Sequence, residues 1–273
     1  MTDEAHQPTP QPVGDLGTAS SQARVQFVGT GPGDPNLLTL GAVDAINRAQ
    51  VIVISCAEHR MLLGSDFLGL RPDVRIVLAG GHDEEPAVLR SQPGTGASTP
   101  VDVDEHCADV TATVIDAASQ GLEVVRLVSG DPFLDGDIGA EAAAVARADY
   151  DVDVVPGVTG MTAVPEYAGL TLHGHDVQLI GDAACQRDIA GHGSNWSDQG
   201  LIVVNTEAGK LKEVVKHAIE SGRGEDEPAA LICHGATTQQ TTHTVTLGEL
   251  PQTAKTARLG DAEPVTVGIG KVV

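Results

Sequence analysis

The apolar residues of this chain fall into short runs that are separated by glycine-rich turns. Residues 24–28 and 51–54 are such runs, and the segment 36–49 between them carries apolar residues at helical spacing. Continuous β-branched runs such as 51–54 are typical of strands buried on both faces of a sheet. The order strand, glycine loop, helix, strand predicts a βαβ unit and therefore a parallel sheet.

The same alternation continues through the first half of the chain. Helices are predicted at 109–119 and 139–148, and strands at 123–128 and 151–155. Residues 80–106 interrupt the pattern with Gly, Pro, Ser, Thr and acidic residues, which predicts a long mobile loop. Four or five strands with helices between them indicate a doubly wound domain.

The pattern changes after Gly169, where strand candidates follow one another with few helices between them. The one strong amphipathic helix is predicted at 209–221, and the five strand candidates are 177–180, 201–204, 229–232, 241–247 and 265–269. This proportion favours a mixed sheet over a second parallel one. We therefore expect an α/β protein of two domains, one with a parallel sheet and one with a mixed sheet.

The predicted domain limits follow from these patterns. Residues 1–23, rich in Gln, Pro, Thr and Asp, are typical of a disordered tail. The N-terminal α/β domain is expected at 24–168 and the C-terminal domain at 169–273.

Composition limits the partners of this domain pair. The formal net charge is −22 and aromatic residues make up only 2% of the chain, which disfavours nucleic acids and anionic membranes. No run approaches the ~18 apolar residues of a membrane helix. None of the four cysteines is paired at C-x-x-C spacing, so reduced, mostly buried thiols are expected. These features predict a cytoplasmic protein.

Three Gly/Pro loops, 29–35, 129–132 and 156–159, each follow an apolar strand. The carboxyl ends of parallel strands meet at one edge of a sheet, where ligands bind. The first loop lacks the last glycine of a dinucleotide fingerprint, because Asp34 stands there, and no Walker A lysine follows. A single glycine loop is often a plain turn, whereas three after three strands favour a ligand crevice.

The amino-acid sequences of these loops resemble the motifs of the tetrapyrrole methylases. The first motif is similar to residues 28–40 (VGTGPGDPNLLTL), the second to 125–133 (VRLVSGDPF) and the third to 154–159 (VVPGVT) with 168–170. The fourth and fifth are similar to 234–240 (HGATTQQ) and 268–273 (GIGKVV). The resemblance is closest to uroporphyrinogen-III C-methyltransferases, including those that some actinobacteria fuse to uroporphyrinogen-III synthase.

This resemblance implies an S-adenosylmethionine-dependent enzyme that methylates uroporphyrinogen III to precorrin-2 for sirohaem or cobalamin. It further implies the two-domain tetrapyrrole methylase fold with a cleft between the domains, and a homodimer. The cofactor would lie folded in that cleft, with a tetrapyrrole as substrate. The cofactor contacts that it implies, position by position, are Pro32, Ser129, Gly130, Asp131, Leu134, Thr159, Gly160, Asn205 and Gly235.

Several positions depart from the family pattern. Ser55 stands where the family has an acidic residue, no lysine precedes Lys210, and Asp135-Gly136-Asp137 replaces the usual Gly-Arg. The two aspartates would repel a substrate with eight carboxylates, which needs arginine or lysine. The arginines of the first domain that could serve it are Arg48, Arg60, Arg71, Arg75, Arg90 and Arg126.

These departures leave the catalytic residues unassigned and two alternatives open. The chain could be a degenerate methylase domain that binds the cofactor and acts as a structural or regulatory partner of uroporphyrinogen-III synthase. It could also act on another tetrapyrrole, or on an RNA or protein acceptor, although the acidic charge argues against RNA.

Two further groups of residues could carry chemistry, one as a metal site and one as a nucleophile. His173, His175 and Asp176 are close in sequence but have no matched further ligand, so a solvated loop is favoured over a metal site, and we expect none. Cys56, with His59 and Arg60 as its nearest basic neighbours, is expected to be a plain thiol and not a nucleophile.

Overall fold

A computed structural model describes residues 23–80, 105–107, 109–136 and 138–271. The tail predicted at 1–23 lies outside these residues except for Ala23, and so do Asp137 and Arg90. Of the loop predicted at 80–106, only Gly80, Glu105 and His106 are described.

The first half of the chain forms a six-stranded sheet in which every pairing is parallel. Its strands are β1 (Arg24–Gly29), β2 (Val51–Ile54), β3 (Arg75–Ala79), β4 (Glu105–Cys107), β5 (Val124–Val128) and β6 (Asp151–Val155), in the spatial order β4-β3-β2-β5-β1-β6. The helices that connect them are α1 (Leu40–Arg48), α2 (Ala57–Leu63), α3 (Val110–Ser119) and α4 (Gly139–Arg147).

Helices cover both faces of this sheet, as its continuous apolar strands predict. Side chains of β5 alternate between the two faces: Val124 and Val128 pack with α3 and α4, whereas Val125 and Leu127 pack with α1 and α2. Strands β2 and β5 are buried at every position. The carboxyl ends of β1, β5 and β2 are thus held side by side in a rigid layer.

The second half forms a five-stranded mixed sheet. Its strands are β7 (Val177–Ile180), β8 (Leu201–Glu207), β9 (Pro228–Cys233), β10 (Thr241–Thr246) and β11 (Pro264–Ile269), in the order β10-β9-β11-β8-β7. Only the β7–β8 pairing is parallel among these. Helices α6 (Asp182–Ile189), α7 (Leu211–Glu220) and α8 (Leu250–Thr256) cover one face, and α5 (Gly160–Tyr167) covers the other.

The predicted α/β class with one parallel and one mixed sheet is therefore confirmed, with differences in detail. Helix α1 begins at Leu40, because Pro35–Leu37 forms a 3-10 turn and Thr39 caps the helix by accepting a hydrogen bond from the Ala42 N–H. The loop predicted to reach residue 106 ends earlier, since Glu105 and His106 belong to strand β4. The second half has three helices where one was predicted.

Helix α5 was not predicted as a helix, and its residues fall inside the expected N-terminal domain. The sequence assigned it to the domain at 24–168, yet its buried residues pack on the second sheet. Met161 packs with Leu201 and Val203, and Val164 packs with Ala230 and Ile232. The chain thus crosses to the second sheet before Gly160, some ten residues earlier than expected.

Within the described ranges, no helix is long and apolar enough to cross a membrane.

Candidate active site

The first two glycine loops meet directly at the carboxyl edge of the parallel sheet. Gly31 and Gly130 exchange backbone hydrogen bonds, with N–O distances of 3.3 and 2.8 Å. Both glycines have positive φ, 74° and 67°, a conformation that side-chain-bearing residues rarely adopt. The two loops are therefore fixed to each other as well as to their strands.

The third loop packs against the same point. A Cβ atom on Gly157 would lie 2.1 Å from the carbonyl oxygen of Gly130 and 2.9 Å from Gly29 Cα. Only a residue without a side chain allows backbones to come this close. The three turns therefore converge at one point, as the sequence predicted.

Asp131 holds the second loop in shape and joins it to the third. Its Oδ1 accepts hydrogen bonds from the backbone N–H groups of Phe133 and Leu134, and its Oδ2 accepts one from Gly157 at 3.3 Å. Leu134 and Phe133 are half or more exposed beside it, at 50% and 64%. The carboxylate was expected to face a ligand, and here it also organises the backbone around it.

Asp135 ties the second loop to the start of α5. Its carboxylate accepts hydrogen bonds from the Asp131 N–H at 2.7 Å and from the Thr159 hydroxyl at 2.9 Å. Desolvation raises the pKa of Asp135, while these hydrogen bonds and one from the Gly160 N–H oppose that rise. The repulsion of substrate by this charge stays a prediction, and in the structure the carboxylate holds two loops together.

The second domain closes on these loops from the other side. A Cβ on Gly160 would lie 3.5 Å from Pro32 Cβ, and one on Gly33 would lie 3.4 Å from Thr237 Cγ2. Gly235 lies so near α5 that a Cβ there would come within 2.5 Å of the Val164 side chain. The first, third and fourth motifs therefore border one region.

Asn205 lies on β8, on the sheet face that α5 covers. Strand alternation places it on the side of Leu201 and Val203, and its Oδ1 accepts a hydrogen bond from the Thr266 hydroxyl at 2.9 Å. Its contact within the protein is therefore to the neighbouring strand.

A polar cluster that the sequence analysis missed lies where β1, β5 and β2 end. His59 of α2 is only 2% exposed, and its Nε2 is 3.3 Å from both Thr30 Oγ1 and Ser129 Oγ. Burial and the nearby Arg126 charge lower the pKa of His59 to about 3, so the ring is neutral at pH 7. The resemblance to the family offers no signal for this residue.

Ser55 and Cys56 sit at the end of β2 beside this cluster. Burial, followed by the Glu58 charge, raises the pKa of the Cys56 thiol to about 11, so it is no nucleophile at neutral pH. This agrees with the plain thiol that was expected.

The arginines proposed for the substrate are mostly elsewhere. Arg126 is 6% exposed, faces α4 and pairs with Glu141 at 3.2 Å. Arg75 begins β3, and Arg71 precedes it, so both lie at the amino edge, opposite the glycine loops. Arg48 ends α1, which runs back toward that edge. Among the candidate arginines that the structure describes, only Arg60 lies on a helix, α2, that follows a strand ending at the site.

Among the described residues, which include His173, His175 and Asp176, no three His, Cys, Asp or Glu side chains are grouped to hold a metal ion.

These features define a class of protein: two α/β domains whose glycine loops converge at the carboxyl edge of a parallel sheet. The sequence profile of the Tetrapyrrole (Corrin/Porphyrin) Methylases matches residues 24–251, and the chain belongs to that family.

Individual relatives narrow the comparison. The chain is 30% identical to a uroporphyrinogen-III C-methyltransferase of Sinorhizobium sp, over 93% of this chain and 85% of that protein. It is 34% identical to a siroheme synthase of Methylococcus capsulatus, over 91% of this chain but only 49% of that protein. The chain thus spans about half the length of that synthase.

Solved structures share the fold. Uroporphyrin-III-C-methyltransferase from Thermus thermophilus is 23% identical with a TM-score of 0.64, covering 92% of this chain and 96% of that one. A further structure of the Thermus thermophilus enzyme is a complex with S-adenyl homocysteine, with 22% identity, a TM-score of 0.59, and coverage of 92% and 98%.

Gly157→Ala tests the contact between the second and third loops. The added methyl group overlaps the Gly130 carbonyl, so the loops must separate, and we expect the free energy of unfolding to fall by about 1–3 kcal/mol. Gly139→Ala is the control, because nothing lies within 4 Å of a Cβ there. Urea denaturation measures both, and equal stability of the two variants would contradict the close packing.

The buried His59 ring makes stability depend on pH. Its folded pKa lies near 3 against 6.5 when unfolded, so the folded state is favoured fully above about pH 6.5 and loses this advantage as the pH falls toward 3. Between pH 7 and pH 5, we expect wild type to lose about 2 kcal/mol more than His59→Gln. Urea denaturation at the two pH values checks this; identical losses would contradict it.

Proposed function

We propose that this chain transfers methyl groups from S-adenosylmethionine to pyrrole carbons of uroporphyrinogen III, giving precorrin-2 on the route to sirohaem or cobalamin. The observation that carries the proposal is the convergence of Gly31, Gly130 and Gly157 at one sheet edge. The family membership and the Sinorhizobium relative support it.

The packing of Gly29, Gly130 and Gly157 brings three loops together at the carboxyl ends of their strands. Ligands of open parallel sheets bind outside the carboxyl ends of the strands, which supports a cofactor site beside these loops. The residues that would hold the cofactor are Pro32, Ser129, Gly130, Asp131, Leu134, Thr159, Gly160, Asn205 and Gly235. When bound, S-adenosylmethionine supplies an electrophilic methyl group on its sulfonium.

In this proposal the protein acts mainly by positioning. An electron-rich pyrrole carbon attacks a methyl group in line, and holding the two reactants together lowers the barrier without a strong base. Ser55 is not an acid, and a ring such as His59, with a pKa near 3, is a weak base. The loops tied by Asp131 and Asp135 keep the crevice in one shape, so that little is reorganised during the reaction.

The proposal extends to assembly and surroundings. The family resemblance supports a homodimer acting in the cytoplasm on a small tetrapyrrole. A uroporphyrinogen-III synthase, fused or associated, would supply the substrate. The acidic composition supports a small-molecule ligand over nucleic acid.

The reaction is tested with the purified chain, S-adenosylmethionine and enzymatically made uroporphyrinogen III under reducing conditions. Mass spectrometry should show a product carrying two additional methyl groups, with matching release of S-adenosylhomocysteine. Binding of S-adenosylhomocysteine without any methylated product would defeat the transfer step.

Asp131→Asn tests the cofactor site separately. The amide puts an N–H₂ group where one carboxylate oxygen now accepts, and we expect S-adenosylhomocysteine to bind roughly tenfold more weakly. Asp116→Asn, on the exposed side of α3, is the matched control and should bind as wild type does. Calorimetry gives both dissociation constants; equal values would count against Asp131 as a cofactor residue.

A further inference from the structure

The cluster of Thr30, Cys56, His59 and Ser129 has a donor arrangement that can be worked out atom by atom. The Thr30 hydroxyl donates its only hydrogen to the Val128 carbonyl, at 3.2 Å. Its oxygen must therefore accept at the 3.3 Å contact with His59 Nε2. This fixes the hydrogen of the neutral ring on Nε2.

The other ring nitrogen agrees with this tautomer. Within the part of the chain that the structure describes, His59 Nδ1 is buried and has no hydrogen-bond partner. A buried N–H donor without a partner is costly, and an unpaired lone pair on a ring nitrogen is the less costly arrangement. The hydrogen on Nε2 thus faces two oxygens, those of Thr30 and Ser129, at equal distances of 3.3 Å.

Ser129 also contacts the Cys56 thiol. The two side chains lie 3.8 Å apart, either atom can donate, and the thiol has a second hydrogen-bonding side chain in Glu58. Because the Nε2–H is directed at its oxygen, the Ser129 hydroxyl does not donate to His59, and its hydrogen is left for Cys56 or for a ligand. Ser129 is exposed just after the carboxyl end of β5, so a ligand can reach that hydroxyl.

We propose that His59 is a positioning residue that holds the Ser129 hydroxyl as a hydrogen-bond donor to a carboxylate oxygen of the ligand in the crevice. The inference rests on the proposed function, in which both cofactor and substrate carry carboxylates. It also gives the ligand carboxylate an uncharged hydrogen-bond donor, at a site where the described part of the chain provides few arginine or lysine side chains.

Paired substitutions test whether His59 acts through Ser129. Removing the hydroxyl with Ser129→Ala, or the Nε2–H with His59→Leu, should each weaken binding about fivefold to tenfold. Because both remove one hydrogen bond, the double variant should be no weaker than either single one. A purely structural role of His59 would instead multiply the two losses. His59→Gln restores an N–H donor and should recover most of the loss.

The two sources of the carboxylate are separated by the ligand used. A loss of affinity for S-adenosylhomocysteine, with affinity for 5′-methylthioadenosine unchanged, assigns the contact to the cofactor, because the latter lacks the carboxylate. A raised KM for uroporphyrinogen III with unchanged S-adenosylhomocysteine binding assigns it to the substrate. Ser119→Ala, a hydroxyl at the end of α3, is the control and should change neither value.

The outcomes separate this inference from the function on which it rests. If wild type binds S-adenosylhomocysteine and forms product, but Ser129→Ala and Ser129→Gly leave the dissociation constant and KM unchanged, this inference alone is overturned. If wild type neither binds nor reacts, both are overturned. The exposed Ser129 variants decide the matter even if His59→Leu does not fold, which thermal unfolding of each variant would reveal.

Discussion

The close contact of three backbone loops at Gly29, Gly130 and Gly157 is the constraint on which the rest of this site depends. At such separations no Cβ fits, so the sequence must supply glycine at each position, and the peptide groups there need partners within the loops themselves. Gly31 and Gly130 satisfy each other, while Asp131 and Asp135 accept hydrogen bonds from neighbouring N–H groups. The two carboxylates thus hold the glycine loops together where no side-chain packing is available. This structural role accounts for acidic residues beside the proposed site of a substrate that is itself acidic.

The sheet around these loops shows what an apolar pattern can and cannot predict. The runs that form β2 and β5 are long enough and sufficiently β-branched to identify a parallel sheet, and the glycines that follow β1, β5 and β6 indicate where a ligand is expected. The shorter helices and strands have too few residues for their apolar pattern to predict them. Helices α5, α6 and α8 have seven or eight residues each, and α6 has few apolar positions, so tertiary packing decides them rather than local pattern. Strand β4 has three residues and is defined by its pairing with β3.

The positions of the backbone loops in the site could be predicted from the sequence. The contacts of its side chains were less predictable. The positions of Gly130, Gly157 and Asp131 follow from the motif order, but the partners of Asp135 depend on how α5 approaches, which no local pattern encodes. Arg126 lies within the second motif, yet strand alternation turns it toward Glu141 on α4. His59 is drawn into the site only because β2 lies beside β5, although residues 59 and 129 are far apart in the chain.

Helix α5 has a consequence for the mechanics of the cleft. Its body is packed on the second sheet, while its capping residue Thr159 donates to Asp135 on a loop of the first. Any hinge motion that widened the gap between the sheets would have to rotate about this hydroxyl–carboxylate link or break it. Such a motion would therefore turn beside the converging glycine loops, and widening the gap would be mechanically coupled to the integrity of the adjoining loop.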